Sequence, residues 1–358
     1  MPRQAIYLTS LEGLAGKSTI AISLALLAKD LGIKVGYFKP IGVDSGSGTK
    51  EFVDEDAETL KHIVGLKEDS SLICPFILRR DTFLDELGKV ESPKILETIT
   101  KSYLKTSEGK DLMIIEGPPT LSEGSFINCS VPKLARDFKA NIITVTIFKD
   151  DFIVDDILQA QDYLLKWEVS LSGVVINKFP PEKMDRAKRL IASILQEIGV
   201  DVLGVIPEDK MLSALTVKEI YEFIGGKVLA GKDGMNKTIQ NVLIGAMTPE
   251  SATRYFQKVK NELVITGGDR TDIIFAALEA GVSALVLTGN LYPSVKIFPK
   301  ADELAVPIIL VPYDTYTTLQ QIQKIVGRIK PQDNKRVNHA KKLVKEHVEW
   351  RKILQGVN

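Results

Sequence analysis

Short β-branched runs alternate along this chain with longer stretches whose apolar residues recur at helical spacing. The runs lie at Ala5–Thr9, Lys34–Phe38, Leu112–Glu116, Asn141–Ile147, Gly173–Ile176 and Val202–Ile206. Such alternation predicts a parallel sheet covered by helices. Ser18–Asp30 reads as the first helix, with Ile20, Leu24 and Leu27 on one face and Leu31-Gly32 as its stop. A helix near Lys210–Ile224 is followed by Gly225-Gly226 and the turn-forming stretch Gly231–Asn236, which suggests a boundary or a long loop. Strands at Asn241–Gly245, Glu262–Thr266, Ser283–Thr288 and Pro307–Val311, separated by helices, then predict a second, smaller parallel sheet. Pro331–Asn334 ends it. In Lys335–Leu354, Ala340, Leu343, His347, Trp350 and Leu354 share a helical face, with lysines opposite. This reads as a terminal helix packed on its own protein or a twin subunit, a basic partner-binding helix being the alternative. The expected domains are residues 1–224, 225–330 and a tail, 331–358.

The 358 residues suit two domains, and 44% hydrophobic with 26% charged residues is ordinary globular composition. A formal net charge of zero argues against nucleic acid or a membrane surface as partner. Cys74 and Cys129 stand far apart, which argues against a disulfide framework and fits a reducing compartment. The N-terminus opens directly into an apolar strand, and no run is long enough for a membrane helix, so a cytoplasmic protein is expected.

The strongest chemical signal is Ser10-Leu11-Glu12-Gly13-Leu14-Ala15-Gly16-Lys17-Ser18-Thr19, between a predicted strand and a predicted helix. This is the setting of a phosphate-binding loop. Free backbone N–H groups of the loop and first helical turn can cradle phosphate oxygens, and the helix dipole adds about 0.3–2 kcal/mol. Lys17 would reach the β and γ phosphates, and Ser18 would offer its hydroxyl to magnesium. Glu12, Gly13, Gly16, Lys17, Ser18 and Thr19 are the candidate nucleotide-binding residues, with ATP and Mg2+ as cofactors. Leu11 stands where the usual motif has its first glycine. A glycine-rich turn capping a helix is the alternative. The fold class is therefore α/β: a P-loop NTPase parallel sheet with helices on both faces, then a smaller α/β domain.

Tyr37-Phe38-Lys39-Pro40-Ile41, Asp54-Glu55-Asp56-Ala57, Ile115-Glu116-Gly117 and Gly173-Val174-Val175-Ile176-Asn177 follow this loop. In that order they resemble dethiobiotin synthetase, and more closely the dethiobiotin-synthetase-like N-terminal region of long phosphate acetyltransferases. Leu203–Asp209 resembles that region's end. Ile244-Gly245-Ala246-Met247 and Ile265–Thr271 are similar to the DRTGG domain that follows it. The resemblance spans about residues 4–328 and leaves no room for the acetyltransferase domain, so acetyl transfer is not expected. It implies that Lys39 faces the phosphates and a substrate carbamate. It also implies that Asp56 and Glu116 hold magnesium with Ser18, and that Asn177 reads the adenine edge. Carboxylates at neighbouring strand ends facing Ser18 would also be hard oxygen ligands on general grounds. The alternatives are a solvated turn for Lys39, a helix cap for Asp56, a loop carboxylate for Glu116 and a backbone-satisfying turn for Asn177.

Departures fall on the acceptor side. Leu14 replaces one of the family's two acidic loop residues, and Pro118-Pro119 replaces a glycine-rich turn, removing two N–H donors. Neither cysteine has the glycine-flanked setting of a glutaminase nucleophile. Glu12 occupies the position where the dimerising deviant P-loop ATPases need lysine.

In the second domain, Gly267-Gly268-Asp269-Arg270, Thr288-Gly289-Asn290 and Asp314-Thr315 share one sheet edge and could receive a small anion. Capping of the next helices by Asp269 and Asp314 is the alternative. Two functional readings follow: a self-associating (homo-oligomeric) regulatory protein that binds ATP and a metabolite or partner enzyme, or an ATP-dependent ligase or kinase acting on a small carboxylate.

Overall fold

The computed structural model describes residues 2–43, 54–78 and 92–355, which divide into two compact units. The first comprises Met1–Asp209 and Ile329–Asn358, the second Lys210–Arg328.

In the first unit, six strands form one sheet: β1 (Gln4–Ser10), β2 (Val35–Phe38), β3 (Leu112–Glu116), β4 (Asn141–Ile147), β5 (Leu171–Phe179) and β6 (Val202–Pro207). Their order is β2-β3-β1-β4-β5-β6, and every pairing is parallel. All six coincide with the β-branched runs, because a parallel strand covered on both faces must be apolar almost throughout. The principal helices are α1 (Lys17–Asp30), α2 (Glu55–Val64), α3 (Ser92–Thr106), α4 (Val131–Asp137) and α5 (Ile153–Leu165). One core layer joins Ala5 and Tyr7 of β1 to Ile99, Leu134 and Ile157 from α3, α4 and α5. The alternate residues Ile6 and Leu8 are equally buried, and α1 packs against β1 and β3. From β1 the chain passes to β2 and β3 on one side of the sheet, then crosses to β4 on the other. The loop after β1 thus lies where the connections diverge, outside the carboxyl ends of the strands, the usual ligand edge of such sheets.

The second unit has a five-stranded sheet of β7 (Lys227–Ala230), β8 (Asn241–Ile244), β9 (Glu262–Gly267), β10 (Ala284–Thr288) and β11 (Ile308–Leu310), in the order β7-β11-β10-β9-β8. Four strands are parallel, and β7 runs antiparallel at the edge. Its helices are α6 (Val217–Ile224), α7 (Pro249–Phe256), α8 (Thr271–Ala280), α9 (Ile297–Glu303) and α10 (Thr315–Ile325). Period-two alternation splits the strands between two cores. Val264, Leu285, Leu287 and Ile308 pack with α7, α8 and α9, whereas Leu263, Ile265, Val286 and Ile309 pack with α6 and α10. The stretch from Gly225-Gly226 to Asn236, read as a boundary or long loop, therefore contains a strand, β7, and is followed by a small two-stranded pairing through Thr238–Ile239.

The final segment returns to the first unit as α11 (Asn334–His347) and α12 (Trp350–Ile353). A single helix over Lys335–Leu354 does not form. Val348 is extended, bridges Gly204 on the edge strand β6, and Glu349 donates its N–H to Leu203 O at 2.7 Å. A Cβ on Gly204 would lie 2.6 Å from His347 O and 2.8 Å from Val348 Cα, so only glycine admits this approach. The segment covers an otherwise open sheet edge and packs along α1. No helix among the described residues is long and apolar enough to cross a membrane.

Candidate functional site

The loop between β1 and α1 takes its shape from left-handed residues. Gly16 has φ 94° and ψ 22°, and Leu14 has φ 61°. The N–H groups of the first turn of α1 have no intrahelical acceptors, so Lys17, Ser18 and Thr19 present donors toward the loop's concave side. A Cβ on Gly16 would lie 2.4 Å from Asn177 Nδ2. Asn177 comes near the end of β5 and donates to Ala15 O at 2.8 Å, while its Oδ1 accepts from Lys178 N at 2.9 Å. Lys178, itself at φ 53°, donates from Nζ to Leu14 O at 3.0 Å. Burial lowers the pKa of its ammonium. Asn177 therefore fastens the loop and also satisfies its neighbouring backbone.

Glu12 reaches the end of β4. Its Oε1 accepts from Ile147 N at 2.8 Å and Thr146 Oγ1 at 3.1 Å, and its Oε2 lies 3.1 Å from Lys149 Nζ. It ties the loop to the end of β4. A Cβ on Gly13 would meet nothing within 4 Å, and the Thr19 carbonyl accepts from Ser23 Oγ.

Charge converges at the ends of β2, β3 and the start of α2. Lys17, Lys39, Asp54 and Glu116 are all buried. Lys17 donates to Ser10 Oγ at 2.7 Å, and the Ser10 hydroxyl is shared between Glu12 O and Pro119 O. Ser18 Oγ donates to Glu116 Oε1 at 2.8 Å, and Tyr37 OH to Glu116 Oε2 at 2.9 Å. The Lys39 ammonium lies 2.8 Å from Asp54 Oδ1, 3.4 Å from Asp56 Oδ2 and 3.8 Å from Glu116 Oε1. Burial drives the Lys17 ammonium below its ordinary range, against the pull of Glu116. Burial acts likewise on Lys39, but Asp56, Glu116 and Asp54 together outweigh it and hold that ammonium firmly protonated. Burial raises the Glu116 carboxyl, with Lys39 opposing.

Lys17, Ser18, Lys39, Asp56 and Glu116 thus meet in one place, and Lys39 is no solvated turn. The cap of α2 is Asp54, whose Oδ1 accepts from Ala57 N at 2.9 Å, so Asp56 is released from that role. Ser10, Tyr37, Asp54 and Lys178 were not singled out from sequence. Tyr37 could have been, since it lies two residues before Lys39 on the same strand face. Among the described residues, the ammonium groups of Lys17 and Lys39 stand beside the carboxylates of Asp54, Asp56 and Glu116. A triphosphate oxygen 4 Å from a carboxylate is opposed by about 4 kcal/mol at an effective dielectric constant of 20. A divalent cation resolves that conflict, and Ser18, Asp56 and Glu116 supply the hard oxygens it takes. The residues therefore fit magnesium.

A family model described as an AAA domain (AAA_26) matches residues 4–216. The chain belongs to this AAA_26 family. The model of the DRTGG domain matches residues 219–325 of the same chain. Phosphate acetyltransferase of Synechocystis is 25% identical over 98% of this chain and 51% of its own length. That of Nitratidesulfovibrio vulgaris is 24% identical over 96% and 50%. The chain spans about half the length of these curated relatives. Among solved structures, a plasmid partition protein of Borrelia burgdorferi bound to AMPPNP is 16% identical, covering 59% of this chain and 90% of its own, with a TM-score of 0.39. An AAA_26 domain with a P-loop, followed by a DRTGG domain, is the arrangement that the motifs implied.

Within the DRTGG-matched unit, polar groups of this sheet edge have partners inside the unit. Arg270 is engaged by Asp272, at 3.1 and 3.2 Å, and by Met247 O at 3.1 Å. Asp314 caps α10 through Thr317 N at 2.9 Å, while α8 receives no side-chain cap. Among the described residues, no group of three or more His, Cys, Asp or Glu side chains is arranged to hold a metal by itself.

Proposed function

We propose that the AAA_26 unit binds ATP with magnesium, and that the chain is a nucleotide-responsive regulatory or metabolite-sensing protein related to the N-terminal half of phosphate acetyltransferases. The observation that carries this reading is the convergence of Lys17, Ser18, Lys39, Asp56 and Glu116 beside the loop of left-handed residues. Lys17 and the N–H groups of the first helical turn would hold the β and γ phosphates. Ser18, Asp56 and Glu116 would hold magnesium, which neutralises phosphate charge when bound. Asn177 and Lys178 keep the loop in register.

The regulatory reading is preferred over group transfer because the acceptor side is stiff. Pro118 and Pro119 offer no N–H donors, and Pro119 O is taken by the Ser10 hydroxyl. One observation favours a second reading: Lys39 is a fixed, protonated ammonium beside the phosphate loop. Such a group could stabilise a phosphoryl group passing to a small carboxylate in a ligase or kinase reaction.

Thermal unfolding with ATP, ADP or GTP, with and without magnesium, tests the proposal. Ligand at 100 times its Kd adds about 2.7 kcal/mol, and Lys17→Ala should remove the shift while the unliganded Tm stays near wild type. An unchanged response in that variant would remove the nucleotide assignment. Release of ADP only when a carboxylate is added would select the second reading.

A further inference from the structure

We infer that Tyr37 is a positioning residue for the magnesium site: its phenol takes one oxygen of Glu116 and so reserves the other, beside Ser18, for the cation. The inference rests on the magnesium–ATP reading. Tyr37 and Glu116 belong to neighbouring strands. β2 and β3 pair in parallel with Tyr37 beside Ile114, and period-two alternation puts Glu116 on the same face, one step further along. Phe38 and Ile115 belong to the opposite layer, with α3 and α4. On the Tyr37 face lies α1, whose first turn carries Ser18. Glu116 is thus met from two elements: Ser18 Oγ donates to Oε1 at 2.8 Å, and Tyr37 OH donates to Oε2 at 2.9 Å. Tyr37 is 1% and Glu116 2% exposed, so each depends on partners within the protein. Among the described residues these are the hydrogen bonds of the Glu116 side chain. Lys39 Nζ stands 3.8 Å from Oε1 and is held at 2.8 Å by Asp54.

An ionised carboxylate only accepts, and the last torsion of a glutamate is broad, so the two donors set the plane of this group. Magnesium would be held by Ser18 and by Oε1, the oxygen that already faces that hydroxyl. The Tyr37 bond lies on Oε2 and has no need to break when the cation binds. Partners of this kind fix a metal ligand in place, and their removal costs about tenfold to hundredfold in metal affinity. Without the phenol, Oε2 would be a buried carboxylate oxygen lacking a donor, free to turn toward Lys39. Both effects weaken Glu116 as a ligand for the cation. Neither touches the contacts that Lys17 and the first turn of α1 would make with phosphate.

The experiment is calorimetric titration of the full chain with ATP in excess magnesium and in EDTA. Tyr37→Phe removes one oxygen and keeps the ring; its ATP affinity should fall about tenfold in magnesium and stay at the wild-type value in EDTA. Should this variant fail to fold, Tyr37→Met fills the space without a donor and carries the same expectation. An equal fall in both conditions would mean that Tyr37 only supports the fold around the loop. No fall in either would mean that Glu116 needs no orienting partner, and each of these results overturns the inference. In a Glu116→Gln background, Tyr37→Phe should weaken binding in magnesium no further; a further fall of about tenfold there would also overturn it, because Tyr37 would then act elsewhere. If the wild-type chain binds ATP under neither condition, or equally under both, the nucleotide or magnesium reading itself fails, an outcome distinct from those of the variants.

Discussion

Replacing Gly16 by alanine should cost stability in two separable parts. The residue sits at φ 94° and ψ 22°, a left-handed conformation that costs an L-residue about 1–2 kcal/mol. Its new Cβ would stand 2.4 Å from Asn177 Nδ2, the end of a side chain that can rotate aside. Rotation breaks the 2.8 Å bond to Ala15 O, a loss of about 1 kcal/mol. The expected total is about 2–3 kcal/mol. In an Asn177→Ala background the second part is already absent, so Gly16→Ala should cost only about 1–2 kcal/mol there. The difference of about 1 kcal/mol is the coupling that a double-mutant cycle measures. Urea unfolding followed by tryptophan fluorescence is the right assay, because both tryptophans, Trp167 and Trp350, lie in the first unit and report on it alone. Equal costs for Gly16→Ala in the two backgrounds would refute the claim that Asn177 is what crowds Gly16. The ATP-induced Tm shift should also shrink in Asn177→Ala, since the loop carbonyl loses its tether.

Asp56→Asn combined with Glu116→Gln should weaken ATP binding in magnesium and spare it in EDTA; equal loss in both would remove their role toward the metal. Glu262, buried at the start of β9, has an Oε2 with no hydrogen-bond partner, and burial pushes its pKa from 4.5 up to about 7. The folded state therefore holds the proton longer than the unfolded state, so stability is greatest below pH 4.5 and falls until about pH 7. Glu262→Gln should add about 3 kcal/mol at pH 8 and nothing at pH 4 by urea-monitored circular dichroism; a pH-independent effect would contradict this. Gly204→Val should drive His347 and Val348 off the edge of β6, at about 1–3 kcal/mol, with a red shift of Trp350 emission. An unshifted emission would mean that the terminal segment is held elsewhere.

Much of this architecture was readable because parallel strands covered on both faces leave a continuous apolar record. The six strands of the first unit and β9, β10 and β11 of the second are such runs, while β8 is a part-exposed edge strand that still carries the apolar run Val242–Ile244. β7 escaped because it is a half-exposed, four-residue edge strand that follows two glycines. The break in the terminal helix also escaped, since Val348 fits a helical apolar face as well as the extended bridge that it makes with Gly204. For the site, Lys17, Ser18 and Glu116 were legible from their places at strand and helix ends. Which carboxylate caps α2 was not: Asp54 and Asp56 both precede Ala57, and only the fold decides that Asp54 accepts its N–H. Glu12 shows the same limit. Its partners Thr146 and Ile147 lie 134 and 135 residues away, on a strand whose adjacency to β1 no local pattern encodes.

The two buried lysines are set for different parts, and their partners say which. Lys17 donates to the neutral hydroxyl of Ser10, which is already shared with two carbonyls. Exchanging that acceptor for a phosphate oxygen replaces a bond with one charged partner by a bond between two opposite charges, which is stronger in a buried site. Burial also lowers the pKa of Lys17, so an incoming anion relieves a desolvated cation. Lys39 has no such incentive. It lies among three carboxylates, and leaving them would strip Asp54 and Glu116 of a counter-ion inside the protein, a change that costs several kcal/mol. On the proposed nucleotide reading, Lys17 would be the lysine that moves onto phosphate, and Lys39 the one that stays with its carboxylates. Lys17→Ala should accordingly remove nucleotide affinity with little loss of stability. Lys39→Ala should destabilise the first unit first, by leaving buried carboxylates unpaired.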